Sequence, residues 1–148
     1  MKVDDIKKDV MNKMPNAVKS VQERVYGVCT EFLNVFYGEY EPHVAKRTHQ
    51  VFNSLVKSDV RKCGNGYESD VYFDLSALHH PSSYIGKDGS VVRRKWSEPE
   101  ILESVMVGGS HGGTYRGIRV FTESDVVVSA KAEQWLKQAL IAAGVPIR

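Results

Sequence analysis

The sequence predicts an α+β fold in which a small, mainly antiparallel sheet packs on one long helix, with a C-terminal helix and long loops. Three observations support this fold class. Apolar side chains recur at steps of three and four over residues 16–40, which is the period of a helix. Two β-rich segments within residues 55–75 flank Gly64-Asn65-Gly66, a strong hairpin signal. Helical spacing returns near residue 124 and stops at Gly144.

The composition fits one soluble globular domain. The chain has 148 residues, of which 42% are hydrophobic and 26% are charged. A net charge of +2 is too small to indicate nucleic-acid binding by itself. No apolar run approaches the ~20 residues of a membrane span, and residues 1–14 lack the apolar core of a signal peptide. Cys29 and Cys63 form no CxxC motif, so we expect a reducing compartment, the cytoplasm.

The helix predicted over residues 16–40 carries two adjacent apolar stripes. The first stripe consists of Val18, Val21, Val25, Val28, Phe32 and Val35, and the second of Tyr26, Cys29, Leu33, Phe36, Tyr37 and Tyr40. Together they form a face wider than a single neighbouring element needs. We therefore expect the sheet to pack on this helix and apolar surface to remain for another subunit. Asn16, behind Pro15, predicts the start of the helix, and Gly38 predicts its end.

Residues 1–15 predict a short amphipathic helix or a mobile N-terminal arm, followed by a single domain over residues 16–148. The apolar residues on one side of this short helix are Val3, Ile6, Val10 and Met14. Its other side is rich in Lys and Asp, which is typical of a solvated face. An arm that docks on a neighbouring subunit is the functional alternative.

The segment after the long helix combines helical and strand patterns. Residues 44–55 have the spacing of one or two further helical turns. Alternation over residues 54–62 and 67–75 predicts the two strands of the hairpin. Residues 76–90 predict a long loop because turn-forming residues occur throughout, and residues 91–96 are either a short strand or part of that loop.

The C-terminal third starts with a capping box at residues 97–100, Ser at the cap and Glu three residues later, which predicts a short helix to about residue 107. The glycine-rich residues 108–113 predict a flexible loop. Residues 115–122 alternate as a strand does. Ser124 or Asp125 is expected to cap the last helix, with a glycine as its C-cap.

No motif predicts catalysis. The five histidines, His43, His49, His79, His80 and His111, have no HxxxH or HExxH spacing, and no cysteine pair completes a zinc site. Residues 108–113 follow a helix and lack the GK[ST] ending of a phosphate-binding loop. No GxSxG elbow accompanies them. We therefore expect a protein that is not an enzyme and uses neither a metal nor a cofactor.

One basic cluster is a candidate nucleic-acid contact. Arg93, Arg94 and Lys95 precede Trp96, and such a group can hold phosphates without reading bases. The alternative is a solvated loop with the tryptophan folded into the core.

Three segments together resemble a known family. They are residues 40–55, with Tyr40-Glu41-Pro42, Lys46-Arg47-Thr48 and Asn53-Ser54-Leu55, then Val71-Tyr72-Phe73-Asp74, and the tail Leu140 to Ile147. Their order is similar to that in the neck or tail-completion proteins of long-tailed bacteriophages and prophages, which are minor structural (minor capsid, or tail-component) proteins. The resemblance covers most of residues 16–148 and implies a compact α+β subunit of a homo-oligomeric ring in the head-to-tail connector.

The resemblance also implies partners, a location and site residues. The partners would be copies of the chain itself, the head-closure or adaptor proteins and the tail terminator, with no membrane. The location would be the virion neck, and the host bacterial cytoplasm during assembly. Subunit contacts would fall on the helix face and on loops 76–96 and 108–116, at Val28, Phe32, Phe36, Tyr84 and Tyr115. DNA in the channel would meet Arg93, Arg94 and Lys95.

Two other functions remain open on the sequence. One is a small non-enzymatic nucleic-acid-binding module that uses Arg93-Arg94-Lys95-Trp96, whose affinity would depend on salt. The other is a small metal-dependent enzyme built on the histidines, which would purify with stoichiometric zinc.

Overall fold

The longest element is helix α1, Val3–Glu39, in a computed structural model of the chain. The residues that the structure describes are 2–39, 41–42, 50–78, 83–85, 88–93, 97, 100, 102–103, 106, 108–109, 113–116 and 119–147. Helices α2 (Gln50–Ser54) and α3 (Val120–Ala142) follow, with a 3₁₀ turn at Leu75–Ala77. Residues 100, 102–103 and 106 are also helical, within the short helix predicted after the capping box. The mixed α+β class, with a long N-terminal helix, small antiparallel strand pairings and a C-terminal helix, is the predicted one.

Helix α1 corrects the predicted start at Asn16, because it continues through Pro15 from Val3. A proline inside a helix removes one backbone hydrogen bond and costs about 3 kcal/mol. Side chains on both sides of the proline are buried together: Val10 and Met14 before it pack on the same cluster as Ala17 after it. That shared burial offsets the lost hydrogen bond. Whether the chain is a single domain stays a prediction.

The strands are short and form several small pairings. They are β1 (Glu41–Pro42), β2 (Leu55–Lys57), β3 (Arg61–Cys63), β4 (Gly66–Glu68), β5 (Val71–Phe73), β6 (Ser83–Ile85), β7 (Val91–Arg93), β8 (Gly108–Gly109) and β9 (Gly113–Arg116). Strand β9 lies between β1 and β8, while β2 pairs with β5, β3 with β4 and β6 with β7.

The predicted hairpin is confirmed. Cys63 pairs with Gly66, so Gly64 and Asn65 form a two-residue turn between antiparallel strands. Gly64 has a φ of +55°, which is the conformation that such a turn requires. The ladder continues beyond this pair, since the Ser58 N–H donates to the Asp70 carbonyl at 3.0 Å.

Two predicted loops contain strands. Residues 76–90 were predicted as a loop, but Ser83–Ile85 within them is a strand that pairs antiparallel with Val91–Arg93. Of the two alternatives for residues 91–96, the first three residues therefore form a strand. Tyr and Ile, good strand formers, precede Asp88 and Gly89, so a hairpin signal was present. In the glycine-rich segment, Gly108–Gly109 pairs with β9, although glycine has little strand propensity and gave no signal.

Helix α3 begins at Val120, which corrects the predicted strand to residue 122 and the cap at Ser124 or Asp125. Val120 and Ser124 are both buried, at 3% exposure each, and a spacing of four places them on one helix face. The Phe121 ring lies 5.1 Å from that of Phe73. Burial of this first turn therefore overrides the alternating pattern.

The end of α3 is as predicted. The Gly144 N–H donates to the Ile141 carbonyl at 2.9 Å, and the Val145 N–H donates to the Leu140 carbonyl at 3.0 Å. This is the Schellman arrangement, which requires a left-handed residue, and Gly144 has a φ of +83°. The hydrophobic contact that accompanies the motif is present, because Leu140 and Val145 are buried in one cluster.

The chain forms two compact units. The first unit comprises Met1–Val28, Lys57–Tyr72 and Ser124–Arg148, and the second comprises Cys29–Val56 and Phe73–Glu123. The core of the first unit, called the core cluster below, consists of Ala17, Leu140 and Val145, with Val10, Met14, Leu136, Ala139 and Ile147 packed against it.

The second unit is built around the C-terminal turns of α1. Cys29 and Leu33 are 1% and 0% exposed, and Phe36 and Tyr37 are also buried. The ring of Tyr37 contacts that of Phe36 edge to face at 5.1 Å, and its hydroxyl accepts from the Phe52 N–H at 3.4 Å. Four residues of the second apolar stripe, Cys29, Leu33, Phe36 and Tyr37, are therefore core, and Cys29 is the buried hydrophobe that a reduced protein allows.

Candidate functional site

An apolar groove of about 480 Å³ lies open on the first unit. Its floor on α1 is the first apolar stripe, at Val18, Val21 and Val25. Strands β4 and β5 form one wall and α3 forms the other; the apolar residues that they contribute are Tyr67, Val71, Ala132 and Leu136. The three α1 valines are half-buried, so this stripe is only partly covered by its own chain.

Gln22 fixes the strand wall of the groove to α1. Its side-chain amide donates to the Ser58 carbonyl at 2.8 Å and to the Asp70 carbonyl at 2.9 Å. The residue is only 6% exposed, and a buried amide needs such partners. Because both carbonyls belong to the hairpin region, one side chain sets the distance between strands and helix.

The outer side of the hairpin is held by Arg61. Its guanidinium contacts Asp70 at 2.7 Å and Glu68 at 2.9 Å. The hydrogen bond to Asp70 is the main reason that the pKa of Arg61 is raised above its ordinary value. All three side chains are about half exposed, so the pairs set the shape of the hairpin more than the stability of the protein.

Further contacts join the walls to α1. The Lys57 ammonium lies 2.7 Å from the Glu23 carboxylate and 4.7 Å from the centre of the Tyr26 ring. The Arg24 guanidinium lies 5.8 Å from the Trp135 ring and donates to the Gln138 side chain at 3.0 Å. Both walls are therefore anchored beside the groove, while the stripe between them stays open.

The groove has an acidic rim. Glu68 and Glu133 both line it and both are exposed. Glu68 is paired with Arg61, whereas Glu133 forms no hydrogen bond or ion pair within the part of the chain that the structure describes. The arrangement suits an apolar segment that carries a positive charge at its edge.

The predicted subunit-interface residues fall in different environments. Val28 and Phe32 are half-buried, and Phe36 is 5% exposed, with its ring packed on Tyr37. Phe36 thus presents little surface to another chain. The backbones of Tyr84 and Tyr115 are in β6 and β9, while their side chains lie outside the described part of the structure. The interface role of these five residues stays a prediction.

Most of the predicted DNA contact lies outside the residues that the structure describes. Arg93 ends strand β7, while Arg94, Lys95 and Trp96 lie outside them, as do all five histidines. Over the ranges that are described, no group of three or more His, Cys, Asp or Glu residues could hold a metal ion. The expectations on DNA, metal and catalysis therefore stay predictions.

The helical pattern predicts spare apolar surface on the long helix, and Val28, Phe32 and Phe36 were named as its interface residues. The structure shows an open apolar groove on the first stripe at Val18, Val21 and Val25, which were not named. A signal was present: Gln22 interrupts the apolar pattern beside Val21 and Val25. A polar residue there marks the place where α1 meets strand carbonyls instead of a closed apolar core.

Comparisons with protein-family models, curated proteins and solved structures give no match for this chain. No helix among the described residues is both long enough and apolar enough to cross a lipid bilayer.

Proposed function

We propose that the chain is a structural virion protein of a long-tailed bacteriophage, forming a homo-oligomeric ring in the neck between the head-closure ring and the tail. The observation that carries self-assembly is the apolar groove. Val18, Val21 and Val25 keep half-open apolar surface in the first unit. Contiguous apolar surface with a polar rim is typical of a protein–protein contact site.

The assignment to the neck depends on the family resemblance of residues 40–55, 71–74 and 140–147. The α+β fold supports it, since a small set of antiparallel strands and one long helix is what the resemblance implies. The role would be structural and not catalytic.

The expected partners follow from the same proposal. They are copies of the chain itself, the head-closure or adaptor proteins and the tail terminator. DNA that passes through the channel would meet Arg93, Arg94 and Lys95. The protein would be made in the cytoplasm of the bacterial host and would end in the virion.

The experiment is to measure the mass of the purified chain by light scattering across a range of concentrations and to image the same samples by negative stain. Closed rings would support the proposal. A monomer at every concentration would contradict self-assembly and favour the nucleic-acid-binding alternative. That alternative predicts DNA binding that weakens steeply between two salt concentrations, because phosphate contacts release counterions.

A further inference from the structure

We propose that the apolar groove receives the first two turns of α1 from a second copy of the chain, so that subunits join head to tail. The inserted residues are Val3 and Ile6. This inference depends on the proposed self-assembly and names the surfaces that carry it.

The first two turns of α1 expose apolar side chains that do not belong to the core cluster. Val3 is 80% exposed and Ile6 is 37% exposed. Val10 lies on the same face as Ile6 and packs on the core cluster, as Met14 does. The apolar side of the helix is therefore covered at Val10 and Met14 and uncovered at Val3 and Ile6.

The same chain cannot fill its own groove. Val3 and Val21 belong to one continuous helix and are eighteen residues apart. At the rise of an α-helix this separation is about 27 Å. The first turn would have to unfold from α1 to reach the groove, whereas a second copy can deliver it as a helix. An apolar helical segment in an apolar groove is a common recognition mode.

The charges of the two surfaces are complementary. Lys7 lies four residues after Val3 and therefore flanks the exposed apolar side chains on the same face. Glu68 and Glu133 line the groove that would receive them. Opposite charges at the rim of an interface fix the orientation of the partner and favour the correct register.

The contact is heterologous, because the inserted turn and the groove are different surfaces of one subunit. Repeated contacts of this kind produce a closed ring if the rotation between subunits closes, and an open filament if it does not. Two apolar side chains and one charge pair make a small contact, so single pairs should be weak and closure should strengthen the whole.

Two variants test the two surfaces separately. Ile6→Glu puts a charge on the inserted turn and leaves the groove intact. Ala132→Arg fills the groove and repels Lys7 of the second copy. Alanine and arginine are both good helix formers, so α3 should keep its structure. Each variant should raise the dissociation constant of self-association, measured by sedimentation, about tenfold or more. The matched controls are Lys8→Glu on the opposite side of α1 and Gln134→Arg beside the groove, both of which should assemble as wild type.

Mixing the two variants gives the decisive result. The intact turn of Ala132→Arg fits the intact groove of Ile6→Glu, so the mixture should form 1:1 heterodimers and nothing larger as the protein concentration is raised into the range of a weak single contact. A mixture that stays monomeric over that range, in which each variant alone is also monomeric, would overturn the head-to-tail pairing. Wild-type assembly that neither variant weakens would overturn this inference alone and leave the proposed function standing. A wild-type chain that is monomeric throughout would overturn both.

Discussion

The two apolar stripes of α1 differ in how much of their surface the rest of the chain buries. On the second stripe, Cys29 and Leu33 are at most 1% exposed, and aromatic side chains close around the helix. On the first stripe, Val18, Val21 and Val25 line an open groove and are only half-buried. Both stripes have the same helical spacing and similar apolar content. Periodicity therefore identifies the residues that share a face and leaves open which element covers them.

The largest expected effect tests whether the more deeply buried stripe contributes more to the free energy of unfolding. Leu33→Ala should destabilise the protein by about 2–5 kcal/mol, because it removes a fully buried side chain and leaves a cavity. Val25→Ala should cost less than about 1 kcal/mol, since the groove is already open and alanine favours the helix. Urea unfolding followed by circular dichroism measures both free energies.

Equal losses for the two variants would contradict this comparison, since they would mean that the groove stripe is covered in solution. Repeating both unfolding curves at low protein concentration distinguishes the sources of cover. A self-associated subunit would lose the extra stability of Val25 on dilution, whereas the effect of Leu33 would stay the same.

The next prediction concerns the polar residue between the groove valines. Gln22→Met keeps the length of the side chain but removes the donor to the carbonyls of Ser58 and Asp70. The Ser58 carbonyl then loses this donor, while the Asp70 carbonyl keeps the Ser58 N–H, and the loss should cost about 1–3 kcal/mol. Amide hydrogen exchange should become faster in the hairpin, and Gln134→Met, at an exposed position of α3, is the control. Unchanged exchange in the hairpin would show that the strand wall does not depend on Gln22.

Much of the fold could be predicted because its signals are local. The turn at Gly64 and the end of α3 at Gly144 require positive φ angles, and both glycines stand where the sequence analysis expected them. The start of α1 and the start of α3 could not be predicted in this way. Pro15 and the alternating residues before Ser124 favour other structures locally, and only burial against distant residues, such as that of Ala17 with Leu140, decides for the helix.

Gly144 determines where the residues that follow α3 pack on α1. It turns the chain so that Val145 packs with Ala17, the residue directly before the open stripe begins at Val18. Gly144→Ala should destabilise the protein by about 1–2 kcal/mol, because the left-handed conformation penalises a side chain. Its new methyl group would meet only the Lys13 ammonium, at 3.7 Å, so crowding adds little.

Gly27→Ala is the matched control for this backbone effect. Gly27 lies inside α1, and nothing is within 4 Å of the place where a Cβ would stand. Alanine there should stabilise the protein by about 0.5–1 kcal/mol, as in any helix interior. The two glycine variants should therefore shift the thermal midpoint in opposite directions, and a shift of the same sign would contradict the left-handed turn at residue 144.

The candidate site was less predictable than the fold. The sequence indicates that α1 has more apolar surface than one neighbour covers, but the groove depends on where the hairpin and α3 leave a gap. That gap is set by side chains far apart in the sequence, such as Gln22 with Asp70 and Arg24 with Trp135. No periodic pattern records such pairs, and none shows that Phe36, which was named as an interface residue, is buried in its own chain.

The smallest expected effect concerns the capping box and serves as a baseline for the comparison of the two stripes. The carboxylate of Glu100 accepts from the Ser97 N–H at 2.7 Å, which is one half of the predicted capping box, and it also accepts from the Ser97 hydroxyl at 2.8 Å. The backbone hydrogen bond first, and the hydroxyl second, lower the pKa of Glu100. The resulting stabilisation is present above the ordinary glutamate pKa of about 4.3 and is lost as the pH falls through the lower pKa of the folded state.

Ser97→Ala removes the hydroxyl and keeps the N–H, so the pKa of Glu100 should rise only part of the way to its ordinary value. NMR titration of the carboxyl group measures this change. Asp88, whose pKa is lowered mainly by the Ser90 hydroxyl, is the internal control and should not move. Because Ser97 and Glu100 are exposed and do not line the groove, self-association through the groove should be the same as in wild type. A change in assembly on this substitution would mean that the capping box, and not the open stripe of α1 alone, takes part in subunit contact.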